Sequence, residues 1–99
     1  MKEFTYTIVD KDGMHARPAG RLVAKAKQFA SRVSVRANDK TADGKRLISL
    51  MMLGAVCGTT LTFSITGEDE ERAATELENF CRTQWNPGGV VLNDETIEN

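Results

Sequence analysis

Between Phe4 and Val9 the side chains alternate, with Phe4, Tyr6 and Ile8 on one face, a pattern that predicts a half-buried strand reaching Asp10. The turn formers Asp10-Lys11-Asp12-Gly13 then interrupt it. Ala19, Leu22, Val23, Ala26 and Phe29 recur at helical spacing and predict a helix starting around residue 16. Pro18 falls in its first turn, where a missing N–H has no intrahelical partner to lose. Val33 and Val35 alternate with Ser34 and Arg36, Asn38-Asp39 offers a tight turn, and Lys40-Thr41-Ala42 completes a hairpin. After Asp43-Gly44, the dense apolar run Leu47, Ile48, Leu50, Met51 and Leu53 predicts a short helix closed by Gly54. Thr60 to Thr66 alternates strictly, with Leu61, Phe63 and Ile65 on one face. Glu68, Asp69, Glu70 and Glu71 then precede a last helix whose apolar face is Ala73, Leu77, Phe80 and Cys81. Arg82 falls near its end, so the charge order suits the helix dipole at both ends.

The order strand, helix, strand, strand, helix, strand, helix places the chain in the α+β class. The architecture expected is a two-layer open-faced sandwich, βαββαβα, in which a four-stranded antiparallel sheet carries three helices on one face with split βαβ pairing. Residues 1–85 are expected to form one domain. Residues 86–99, opened by Asn86-Pro87-Gly88-Gly89, read as a C-terminal tail, either a loosely packed terminus or a docking arm or short extra strand.

Composition narrows the function classes. At 99 residues, 40% hydrophobic and 27% charged, the chain has material for one core without metals or disulfides. Thirteen Lys and Arg against 14 Asp and Glu leave a net charge of -1, which removes the basic footprint of a non-specific nucleic-acid binder. The open sheet face, bearing Thr5, Thr7, Thr62 and Ser64, also lacks the aromatic platform of a single-strand RNA binder. No apolar run nears the roughly 20 residues of a membrane span, so no membrane insertion and a cytoplasmic location are expected. Cys57 and Cys81 are expected as free thiols. With His15 the only histidine, they make no recognisable ligand set, and neither a metal nor a cofactor is expected.

The stretch that carries chemistry is Gly13-Met14-His15-Ala16-Arg17-Pro18-Ala19-Gly20. It places the single histidine just before a helix start, where free backbone N–H groups and about half a positive charge favour a phosphate or other oxyanion. Arg17 adds a planar donor fork suited to phosphate oxygens. An unprotonated imidazole nitrogen is a nucleophile, so the same site can both bind such a group and bond to it. Read without any relative, a loop histidine is also a common solvent-facing cap.

Gly13-Met14-His15-Ala16-Arg17-Pro18-Ala19 resembles the active-site signature of the HPr family, the histidine-containing phosphocarriers of the bacterial phosphoenolpyruvate-dependent sugar phosphotransferase system. The resemblance runs from about Phe4 to Thr83 and includes Asn38-Asp39-Lys40-Thr41, the segment from Lys45 to Gly54 with Met51 and Leu53-Gly54, and the junction at Gly67. It implies a transient phosphohistidine at His15, bonded through Nδ1, accepted from enzyme I and passed to enzyme IIA domains. Arg17 would stabilise the phosphoryl group, and the Ala16 and Arg17 N–H groups would line it. Two positions depart from the pattern. Arg46 stands where many members carry a regulatory serine at the start of the short helix, and Ser49, one turn on, reads as a helix surface residue. The tail after Gln84 is longer than the usual family end.

Leu47, Ile48, Leu50, Met51 and Met52 cannot all face inward on so short a helix, which predicts an exposed apolar patch beside the His15 loop. The expectation is that Ile48 and Leu50 or their neighbours are buried while Leu47 and Met51 are exposed. Gly20, Arg21, Arg46, Leu47, Ile48 and Met51 are the expected partner-binding residues, and Arg17, Arg21, Lys25, Lys27, Lys45 and Arg46 form a candidate basic rim. A monomer fits a carrier that must meet several proteins in turn. The alternative function is a regulatory binding module of the same fold, or a nitrogen-branch paralogue, acting by protein docking.

Overall fold

Alternation and helical spacing resolve, in a computed structural model describing residues 1–85, into β1 (Lys2–Thr7), α1 (Ala16–Ala26), β2 (Arg32–Ala37), β3 (Lys40–Asp43), α2 (Leu47–Met51), β4 (Thr60–Thr66) and α3 (Glu70–Phe80). A π-helical turn, Cys81–Trp85, continues α3. The tail expected at residues 86–99 lies outside the described residues.

The four strands form one antiparallel sheet in the order β1-β4-β2-β3. β1 and β2 are therefore parallel with β4 between them, the split βαβ arrangement. Register decides the layers. Phe4, Phe63, Val35 and Ala42 form one row across the sheet; Phe63, Val35 and Ala42 are buried under the helices, and Phe4 on the edge strand β1 is half-buried. The next row is Thr5, Thr62, Arg36 and Thr41, on the opposite, open face. Phe4 stacks on Phe63 with ring centroids 4.5 Å apart. This is the α+β open-faced sandwich read from the sequence.

Above the covered face, α1 buries Pro18, Ala19, Leu22 and Ala26, and α3 buries Ala73, Leu77 and Phe80. A partly buried Lys25–Glu76 pair at 3.2 Å ties the two helices. α2 buries only Leu50. Two boundaries differ from the periodicity. The first strand stops at Thr7, yet Ile8 stays buried because its N–H donates to the Thr59 carbonyl and its carbonyl accepts from Gly58. Phe29 lies beyond the end of α1, packed in the following turn with the Arg72 guanidinium 5.0 Å from its ring centroid. The two thiols are free, Cys57 exposed and Cys81 buried, with burial pushing the Cys81 thiol well up.

Candidate functional site

The turn Asp10–Gly13 sets the entry to α1. Asp12 N–H donates to Asp10 Oδ1 at 2.9 Å, and Gly13 N–H donates to the Asp10 carbonyl at 2.9 Å. Gly13 is needed there: its φ is +69°, and a Cβ would lie 2.6 Å from the Ala55 carbonyl oxygen. Met14 N–H bonds to that carbonyl at 2.9 Å, so the loop after α2 is stitched to the loop before α1.

His15 follows as the N-cap of α1, in extended backbone conformation and with no side-chain capping bond. Its carbonyl accepts the first intrahelical bond, from Ala19. Pro18 has no N–H, so the orphan donors of this helix start are those of Ala16 and Arg17, and no described acceptor takes either. The imidazole is half-exposed, and its Nε2 lies 3.6 Å from Asp10 Oδ2. Arg17 is exposed, and its guanidinium makes no hydrogen bond or ion pair among the described residues. The arrangement offers a ring nitrogen, two unpartnered N–H donors and a free cationic fork within one turn of helix. A tetrahedral dianion fits this set.

Asp10, Asp12 and His15 each present an atom within 4.8 Å of the others, a grouping that sequence spacing did not single out. All three are open to solvent to some degree, and the two carboxylates belong to one surface turn; the grouping carries no metal assignment.

The residues expected to bind partners lie at the surface, with one correction to the burial expected of α2. Leu50 is the buried residue of α2, but Ile48, expected inside, is 66% exposed, as are Met52 at 70% and, less fully, Leu47 and Met51. The helix is only five residues long, so one inward position satisfies its contact with the core and Ile48 is left outside. Val56, in the irregular stretch beside Gly13, adds an exposed apolar side chain that no periodicity could have flagged. Gly20 and Arg21 share the outer face of α1 with Arg17 by helical spacing, and an added Cβ at Gly20 would meet nothing within 4 Å. Arg46 is the N-cap of α2, largely exposed and 3.8 Å from Asp43.

Two members of the expected basic rim are engaged structurally instead. Lys25 pairs with Glu76, and Lys45 donates to the Phe29 carbonyl at 2.7 Å. Ser49 is half-buried, and its hydroxyl accepts the Asp43 N–H at 2.9 Å, so it holds the β3–α2 turn. No helix among the described residues is long and apolar enough to cross a membrane.

Residues 2–83 match the family described as the PTS HPr component phosphorylation site. Phosphocarrier protein HPr of Lysinibacillus sphaericus is 44% identical over 77 residues, covering 78% of this chain and 88% of that protein. Among solved structures, HPr-C-His from Thermoanaerobacter tengcongensis is similar with a TM-score of 0.80 at 35% identity, over 87% of this chain and 97% of the other. Crh, a catabolite repression protein of Bacillus subtilis solved as a domain-swapped dimer, is similar with a TM-score of 0.65 at 32% identity, over 82% and 93%.

Proposed function

The chain belongs to the HPr family and is a phosphocarrier of the phosphotransferase system; within that function we propose that His15 accepts a phosphoryl group from enzyme I on Nδ1 and yields it to enzyme IIA domains. The observation that carries this assignment is the start of α1, where a half-exposed imidazole stands beside the two unpartnered N–H groups of Ala16 and Arg17.

The Nδ1 lone pair attacks phosphorus in line with the bond to the donor. The N–P bond forms as the donor's bond breaks, and that electron pair returns to the donor. Negative charge on the phosphoryl oxygens meets the Ala16 and Arg17 N–H groups and the Arg17 guanidinium, so the group is held by dipoles and a cation already in place. Transfer onward is the same step in reverse toward a new acceptor. Because the ring lies on an exposed surface, a partner can cover it completely. Gly20, Arg21, Arg46, Leu47, Ile48 and Met51, joined by Val56, are the surface over which both partners dock. Such contacts are small and transient, since tight binding of one partner would block the next. The work is placed in the cytoplasm, where enzyme I and its acceptors meet. The His15–Arg17 pair with its free donors favours the carrier over a docking-only regulatory module, which has no use for them.

Incubation with phosphoenolpyruvate and enzyme I, followed by intact-mass and acid-lability analysis, tests the assignment. Wild type is expected to gain one acid-labile phosphoryl group and His15→Ala none, with an unchanged far-UV spectrum because the half-exposed ring contributes little packing. Acid-labile phosphate on His15→Ala would sink the assignment.

A further inference from the structure

The Asp10 carboxylate is oriented by its own turn. Oδ1 accepts the Asp12 N–H, which leaves Oδ2 on the side facing His15, 3.6 Å from Nε2. The Asp12 carboxylate offers an oxygen within 4.8 Å of the same cluster, and Arg17 follows two residues along the chain on the first turn of α1. Asp10 therefore marks the two ring nitrogens differently. A carboxylate attracts an N–H and repels both a bare lone pair and an incoming phosphoryl dianion.

We propose that Asp10 is a positioning residue for phosphoryl transfer: its carboxylate holds the Nε2–H of His15 and so reserves Nδ1 as the nitrogen that takes and gives the phosphoryl group. The proposal rests on the assignment of His15 as the acceptor. At 3.6 Å the contact is a charge–dipole attraction while the ring is neutral, short of a formed hydrogen bond, and is of the kind that tightens when a partner closes over the site.

Its larger effect comes after transfer. When Nδ1 bonds to phosphorus from the phosphorylated donor protein, the ring keeps its Nε2 proton and becomes cationic, and Asp10 faces that new charge. When the N–P bond breaks toward an acceptor, the pair returns to Nδ1 and the ring leaves as neutral imidazole, still carrying the Nε2 proton. No external proton is needed at either step. Asp10 thus stabilises the protonated phosphohistidine, the form that transfers.

Asp10→Asn isolates the charge, because the amide oxygen can still accept the Asp12 N–H and keep the turn. Wild type, Asp10→Asn, Asp10→Glu and Asp12→Asn are phosphorylated with phosphoenolpyruvate and enzyme I. Phosphorus NMR then identifies the bonded nitrogen, and decay of the phosphohistidine is followed between about pH 4 and pH 9, a window spanning imidazole chemistry. Wild type is expected to carry the group on Nδ1. Asp10→Asn is expected to displace the decay profile toward lower pH by roughly half a unit to one unit, a full unit being a tenfold change in the protonated fraction, and to accept phosphoryl about fivefold more slowly. Asp10→Glu should restore part of the displacement and Asp12→Asn should cause less than half of it. Superimposable profiles for wild type and Asp10→Asn, or an equal displacement in Asp12→Asn, overturn the role of Asp10. A wild type that takes no phosphoryl group overturns instead the assignment of His15, so the two failures are distinct.

Discussion

Asp69 stands at the N-cap of α3, yet its carboxylate makes no capping bond to its own helix. It accepts the N–H groups of Ala30 and Ser31 at 2.9 and 3.0 Å and the Ser31 hydroxyl, joining the start of α3 to the entry of β2. The Ser31 hydroxyl, then the Ala30 N–H, hold its carboxyl down at about 2 instead of the usual 3.8. A carboxyl lowered in the folded state stabilises fully above its unfolded value and loses that contribution as pH falls through the folded one. Wild type is therefore expected to lose stability from about pH 4 down to about pH 2 by this group, and Asp69→Asn to be less stable near neutrality with a flatter slope in that window. Urea midpoints measured across the range check this; equal slopes for the two proteins would exclude it. The sequence placed negative charge at this helix start for its dipole, and the actual partners, 38 and 39 positions away in the chain, were invisible to local spacing. The placement of His15, Arg17 and Pro18 at a helix start was legible because it depends on neighbours within one turn.

The element that periodicity described least well is α2. A five-residue helix makes little more than one turn, so the apolar spacing of Leu47, Ile48, Leu50 and Met51 does not decide which side faces inward. Contact with α1 and the neighbouring core decides it, burying Leu50 and turning Ile48 out. Ile48→Asp is accordingly expected to change unfolding free energy by no more than about 0.5 kcal/mol, as exposed substitutions do. The same variant should slow phosphoryl exchange with partners roughly tenfold, about 1.4 kcal/mol of lost docking. Stopped-flow transfer from phosphorylated enzyme I and parallel urea titrations separate the two effects. A large stability loss with normal transfer would mean that Ile48 is a packing residue. Strand β4, by contrast, was read to the residue as Thr60–Thr66, because alternation over seven positions has one solution when one face is covered.

At the scale of the molecule the last described residue closes the core. Trp85, the only tryptophan, is buried against Tyr6 and Phe63, with centroids 5.5 and 6.3 Å away, and its indole N–H donates to the Pro18 carbonyl in α1. It bridges the C-terminal turn, β1, β4 and the first turn of the helix that bears the site. Trp85→Phe should cost about 0.5–1.5 kcal/mol, the net worth of one hydrogen bond, because the Pro18 carbonyl keeps its intrahelical bond from Leu22. Trp85→Ala should cost about 3–5 kcal/mol, with the cavity added. Tyrosine fluorescence and far-UV circular dichroism in urea measure both, and a loss under about 1 kcal/mol for the alanine variant would show that the turn is not part of the cooperative core. The amino-acid sequence by itself determined the element order, the covered and open sheet faces, and a histidine and arginine at a helix start, because each of these rests on chain-local periodicity, turn chemistry or helix-end electrostatics. The backbone of the Asp10–Gly13 turn directs Asp10 toward Nε2; only tertiary structure decided that Asp69 reaches Ser31, that Ile48 points outward and that Trp85 reaches Pro18. Those are contacts between segments whose relative placement is set by how the helices pack on the sheet, and local spacing carries no information about it.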